Sequence, residues 1–121
     1  MMKKHLLAFA VAAVAAGSAF AQAGDTLAKI KSSGSMTLGV RESSGLGYTL
    51  GNGKYVGFHT EMSERIADDL QKQLGLAKLE VKYQPLTSQN RVPLVQNGTV
   101  DLECGSTTNN QSRQKDAAFA F

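Results

Sequence analysis

Cysteine is nearly absent from this sequence. Cys104 is the single one among 121 residues, so no disulfide closes within the chain and no multi-cysteine metal site forms. Its apolar neighbourhood predicts a buried, inert thiol. Histidine is almost as scarce. His5 and His59 are too few to build a metal site, and His5 lies in an N-terminal segment read below as removed. No serine has a histidine beside it in the remainder, and Cys104 has no base near it, so the usual nucleophile pairs are missing. No cofactor is expected. Clustered positive charge is lacking too. The formal net charge is +3, but Lys3 and Lys4 supply two of those charges and the other basic residues stand singly among acids. That excludes a nucleic-acid partner. Finally, no apolar run is long enough to cross a bilayer: Leu6 to Ala16 is 11 residues, against the roughly 20 that a spanning helix needs.

That short run has a meaning of its own. Lys3, Lys4 and His5 precede it, Gly17 and Ser18 relax it, and Ala19-Phe20-Ala21 puts small residues at both positions that a signal peptidase reads. The order is that of a cleavable secretory signal peptide over residues 1–21, with the cut before Gln22 and export from the cytoplasm. Residues 22–121 remain, enough for one small domain with a modest core.

Along that remainder, Gln22 to Gly34 reads as a lead-in with a short turn capped by Asp25 or Thr26. SMTLGV, 35–40, reads as a buried strand with Arg41 at its carboxyl end. A Gly/Ser-rich loop follows, in which Asn52-Gly53 predicts a hairpin turn pairing Tyr48–Leu50 with Tyr55–Gly57. Next comes a helix with Thr60 as N-cap, Glu61 and Glu64 in its first turn, and Met62, Ile66, Leu70 and Leu74 forming an apolar stripe. Gly75 closes it. Lys78–Tyr83 reads as a second strand, Asn90 as the cap of a short helix carrying Pro93 and ending at Gly98, and Val100–Cys104 as a third strand. A sequon at Asn97-Gly98-Thr99 is read as that helix end. The pattern is α/β, with a mostly parallel sheet flanked by helices. Tyr48, Tyr55 and Phe58 could wall a binding crevice, but the core is where they are expected.

In open α/β sheets, ligands bind beyond the carboxyl ends of the strands. Arg41 falls there after the first strand; Ser88, Asn90 and Arg91 after the second; Gly105-Ser106-Thr107-Thr108 after the third, with Arg113 just beyond. Three arginines and a hydroxyl-rich turn in equivalent places suit a small ligand with more than one carboxylate, because a guanidinium pairs with a carboxylate through two hydrogen bonds. Asp101 and Glu103 share one face of the third strand, and a face touching polar loops accounts for them.

The stretches VRESSGLGYTL (40–50), GKYVGFHTEMSERIADDL (53–70) and PLTSQNRVPLVQNGTVDLECGSTTNNQSRQKDAAFAF (85–121) are similar to the periplasmic glutamate/aspartate-binding proteins of ABC transporters, within the wider family of polar-amino-acid-binding proteins. The resemblance implies a type II binding protein: two α/β lobes joined by crossover strands, the ligand clamped between them, and no covalent chemistry. It implies that Arg113 pairs with the ligand's α-carboxylate, assisted by Thr108, and that Ser106 helps hold the α-ammonium. Arg41, Ser88 and Arg91 take the side-chain carboxylate. The partners implied are glutamate or aspartate and an inner-membrane ABC permease, with a monomer expected for the full-length protein. Family members run to more than twice this length, so residues 22–121 are expected to be an incomplete first lobe, without the second lobe and return segment. The loop GLGYTLGNG departs from the family pattern, which bears on an aromatic ligand contact at Tyr48. Two other readings stand beside this one. One is a periplasmic enzyme on the same fold, such as a cyclic-acid dehydratase, with its acid or base among Glu42, Asp101 and Glu103. The other is a fragment with no activity of its own.

Overall fold

A computed structural model describes residues 23–42 and 45–120; the leader read over 1–21 lies outside them. The first element corrects the reading of a mere lead-in. Helix α1 spans Ala23–Ser33, with Asp25 in its first turn and Lys31 in its last, each suited to the local end of the helix dipole. One residue anchors it: Ile30 is 1% exposed and joins Met36, Leu38 and Ala67 in the core. Gly34 then closes the helix through its N–H to the Ile30 carbonyl at 2.9 Å.

Strand β1, Ser35–Val40, has the bounds expected and is the centre of the sheet. It pairs in parallel with β4, Glu80–Pro85, on one side and with β5, Leu102–Glu103, on the other, so that Leu38 stands opposite both Tyr83 and Leu102. β4 begins two residues later than the alternation suggested. Gln71 Nε2 donates to the carbonyls of Leu76 and Ala77, which holds that segment against the preceding helix. Pro85 is tolerated because β4 is an edge strand; the ladder continues past it through Leu86 N–H to the Val40 carbonyl at 2.8 Å. β5 is shorter than the expected Val100–Cys104, and it too lies at an edge. Cys104 is in consequence half-buried rather than fully buried, and free.

Strands β2, Tyr48–Gly51, and β3, Lys54–Val56, form the hairpin, turning at Asn52 and Gly53, both with positive φ as a tight hairpin turn demands. Helix α2, Phe58–Gln73, starts two residues before the expected cap. Thr60 is inside it and 4% exposed. The line that meets the sheet is Thr60, Ser63 and Ala67, continued by Leu70 and Leu74, while Met62 stays 37% exposed. Small side chains let the helix lie close, and Ser63 settles its hydroxyl on the His59 carbonyl at 3.0 Å. α3, Arg91–Gln96, and a 3-10 turn at Arg113–Lys115 are the remaining elements among the described residues.

The aromatics are not core. Tyr48 is 52% and Phe58 60% exposed. Tyr55 stacks on Tyr83 with ring centres 5.6 Å apart, and the Tyr83 hydroxyl donates to Glu64 Oε1 at 2.5 Å. Burial first, and then the hydrogen bond and charge of Glu64, push the Tyr83 phenol up from 10.0 to about 12. The folded value lies above the unfolded one. The stability it confers is therefore complete below pH 10 and drains away as pH rises toward 12. Urea midpoints followed across that window should fall for the parent chain and fall less steeply for Tyr83→Phe.

Candidate arginine-lined binding site

The carboxyl ends of the three parallel strands face the same way, and the polar residues that follow them meet there. Arg41 leaves β1 with only 7% exposure. Its Nη1 donates to Ser106 Oγ at 3.1 Å and its Nη2 to Ser88 Oγ at 2.9 Å. One guanidinium thus ties the segment after β4 to the segment after β5.

Ser88 is placed by a local device that differs from the cap expected at Asn90. Thr87 N–H donates to Asn90 Oδ1 at 2.8 Å, and Asn90 N–H returns to Thr87 Oγ1 at 3.2 Å. This is the reciprocal arrangement of a capping box, with asparagine in the place usually held by glutamate. Asn90 makes no side-chain bond to the helix it precedes. Arg91 N–H reaches the Thr87 carbonyl at 3.3 Å, so the box runs directly into α3. It fixes Ser88 toward Arg41 and starts α3 with Arg91 on its inner side, 8% exposed. Arg91 Nη1 donates to the Ser106 carbonyl at 3.3 Å. Beyond β5, Arg113 Nη1 donates to the Thr108 carbonyl at 2.9 Å, and Asn110 Oδ1 accepts from the Arg113 N–H at 3.0 Å.

All six residues singled out from the sequence therefore lie in one neighbourhood. Arg41, Ser88, Arg91 and Ser106 are hydrogen-bonded to one another directly. The Arg113–Thr108 pair joins them through its field: the Arg91 guanidinium is held below its ordinary value by burial, then by the charge of Arg41, then by that of Arg113, while Glu103 acts in the opposite direction. Three like charges this near one another can attract an anion, and a guanidinium can pair with a carboxylate through two hydrogen bonds. Ser106 gives both of its oxygens to guanidiniums and Thr108 gives its carbonyl.

Two participants, Thr87 and Glu103, were not legible as such from the sequence, and Tyr55 was open to either a crevice wall or the core. Thr87 supplies the box; a Thr-x-x-Asn spacing was the available signal. Tyr55 walls an open hollow of about 500 Å³ at the ends of β1 and β4, together with Glu42, Pro85 and Ser88, though none of the three guanidiniums lines it. Glu103 parts company with Asp101. Asp101 turns to Lys29 Nζ at 2.6 Å and accepts from Thr37 N–H at 2.9 Å, which fastens α1 to the sheet. Glu103 instead lines a hollow of about 250 Å³ with Arg91, and its charge acts on that guanidinium. A larger hollow of about 750 Å³ lies between the hairpin and α2, lined by Tyr55, Phe58, Glu61, Glu64 and Tyr83. It holds none of the three guanidiniums, and size alone does not make it the site.

Residues 36–121 match the family described as bacterial extracellular solute-binding proteins, family 3. The chain is 46% identical, over 125 residues, to the glutamate/aspartate import solute-binding protein of Salmonella typhimurium, covering 98% of this chain and 41% of that one. It is 48% identical over 97 residues to the L-glutamate/L-aspartate-binding protein of Pseudomonas aeruginosa, covering 78% and 32%. Among solved structures, the solute receptor for L-cysteine of Neisseria gonorrhoeae superposes with a TM-score of 0.65 at 31% identity, covering 78% of this chain and 37% of that one. The chain spans about two-fifths of the length of the Salmonella relative and less of the other.

Proposed function

Because the chain belongs to the bacterial extracellular solute-binding proteins of family 3 and carries part of their type II α/β fold, we infer that it contributes one wall of a binding site for an acidic amino acid. The ligand is glutamate or aspartate, captured in the periplasm after removal of residues 1–21 and delivered to an inner-membrane ABC permease. Capture is by ion pairing and hydrogen bonding, with no covalent step, so the protein is not an enzyme. Residues 22–121 make part of the first lobe, and the full-length protein acts as a monomer.

The observation that carries this reading is the meeting of two guanidiniums, Arg41 and Arg91, at Ser88 and Ser106, with Arg113 near enough for its charge to act on Arg91. Arg113, with Thr108 beside it, is assigned to the α-carboxylate; Arg41, Ser88 and Arg91 to the side-chain carboxylate. Ser106 is assigned to the α-ammonium. Each of its oxygens has two lone pairs and gives one to a guanidinium here, which leaves one each for the ligand. The names of the Salmonella and Pseudomonas proteins agree with an acidic ligand.

The test is calorimetric titration of glutamate, aspartate and glutamine into residues 22–121, with the whole Pseudomonas protein as control. Saturable heats with the two acids and none with glutamine are expected, weaker than in the control, because a one-sided site leaves its charges in water where each contact is screened. Equal response to glutamine would overturn the assignment of Arg41, Ser88 and Arg91 to a carboxylate.

A further inference from the structure

The arginine cluster contains one carboxylate for which the binding scheme gives no task. Glu103 closes β5, and its Oε1 is buried with no hydrogen-bond partner. A side chain at Gly105 would fall 2.3 Å from that oxygen and 3.7 Å from Arg41 Cδ, so carboxylate and guanidinium stem converge on one point above the glycine. Arg91 lies close by, with its own Nε buried and lacking a hydrogen-bond partner. A buried carboxylate oxygen is costly unless a positive charge stands nearby. Here the stem of Arg41 stands beside it and the charge of Arg91 is near enough to act on it, and both are arginines that a ligand is to use.

We propose that Glu103 is the resident counter-ion of the cluster, a carboxylate that offsets the mutual repulsion of Arg41, Arg91 and Arg113 in the free protein and competes with an incoming ligand carboxylate for the same positive charge. The proposal rests on the acidic-ligand reading of the site and deepens it. It makes capture an exchange of one carboxylate environment for another rather than the neutralisation of a bare positive patch. The electrostatics at Arg91 agree, since Glu103 opposes the downward push of the other two arginines. Gly105 has its place in the same scheme, because any Cβ there collides with the Glu103 carboxylate.

A counter-ion that competes with ligand has an unusual signature. Removing it weakens the free protein and strengthens binding. Glu103→Gln keeps the shape and deletes the charge; Glu103→Asp keeps the charge. Thermal unfolding of the full chain and both variants would be followed in buffer alone, with added sulfate against sodium chloride of equal ionic strength, and with glutamate. For Glu103→Gln the free protein should melt lower, sulfate should raise its midpoint more than it raises the parent's, and glutamate affinity should rise about tenfold, the size of one unit charge several ångströms away at an intermediate effective dielectric. Glu103→Asp should respond to sulfate like the parent. Weaker glutamate binding by Glu103→Gln would overturn the proposal, as would a lower melting point with sulfate and glutamate responses unchanged, because either result describes a group that only shapes the site. If the parent itself ignores glutamate, the acidic-ligand reading fails, and the sulfate comparison still decides for or against the counter-ion.

Discussion

Replacing Arg113 with alanine should abolish detectable glutamate binding, a loss of about a hundredfold or more, while leaving the fold intact. Of the three arginines it is the one on which function is cleanly separated from folding. Arg41 is buried and bridges Ser88 to Ser106, and Arg91 is buried and holds the Ser106 carbonyl, so truncating either leaves serine oxygens without partners and loosens the loops after β4 and β5. Arg113 is half-buried, and its guanidinium donates to the Thr108 carbonyl. Losing that bond costs about 1 kcal/mol of stability at most in so open a place. Losing both hydrogen bonds of a guanidinium–carboxylate pair costs about 3 kcal/mol or more of binding, since each bond to a charged group contributes about 1.5–3 kcal/mol. Titration calorimetry on Arg113→Ala beside the parent, with circular dichroism to verify the fold, measures both. A variant that binds like the parent would remove Arg113 from the α-carboxylate and leave the site to Arg41 and Arg91.

How much of this was readable in advance depends on which forces set each element. β1 was legible residue for residue because its alternation and its central place in the sheet impose the same pattern. The hairpin was legible because Asn52 and Gly53 adopt a backbone conformation that few other pairs reach cheaply. The arginines were legible because each follows a strand, and parallel strands deliver their carboxyl ends to one edge. α1 was missed for a physical reason: it is held mainly by Ile30, with Leu27 39% exposed, so it lacks the broad apolar stripe that announces a helix. The parting of Asp101 from Glu103 was out of reach as well. Alternation puts them on one face, but β5 is only two residues long. Beyond so short a strand, direction is set by partners, Lys29 for one acid and the arginines for the other.

The start of α2 was misplaced because its determinant is a backbone contact rather than a cap side chain, and from this follows the largest stability effect expected in the chain. Gly57 precedes the helix at φ 116°, and a Cβ there would lie 2.4 Å from the Leu46 carbonyl oxygen and 2.9 Å from Gly47 Cα. Both obstacles are backbone, which no rotamer change relieves. The same junction supplies two hydrogen bonds, Glu61 N–H to the Gly57 carbonyl at 2.9 Å and His59 N–H to the Leu46 carbonyl at 3.1 Å, so the loop after Arg41 is pinned under the helix start. Gly57→Ala therefore combines a strained φ with a collision, and about 3 kcal/mol or more of stability should be lost. A domain of about 100 residues has only roughly 5–15 kcal/mol in hand. In urea the midpoint should drop sharply, and amide exchange should quicken first in β2, β3 and the opening turn of α2, while β1 and β4 keep their protection until global unfolding. A loss below about 1 kcal/mol would mean that the Leu46–Gly47 loop moves aside without penalty. In that case the position of Tyr55, which lines one hollow with Ser88, would have to be maintained by its stacking on Tyr83 alone.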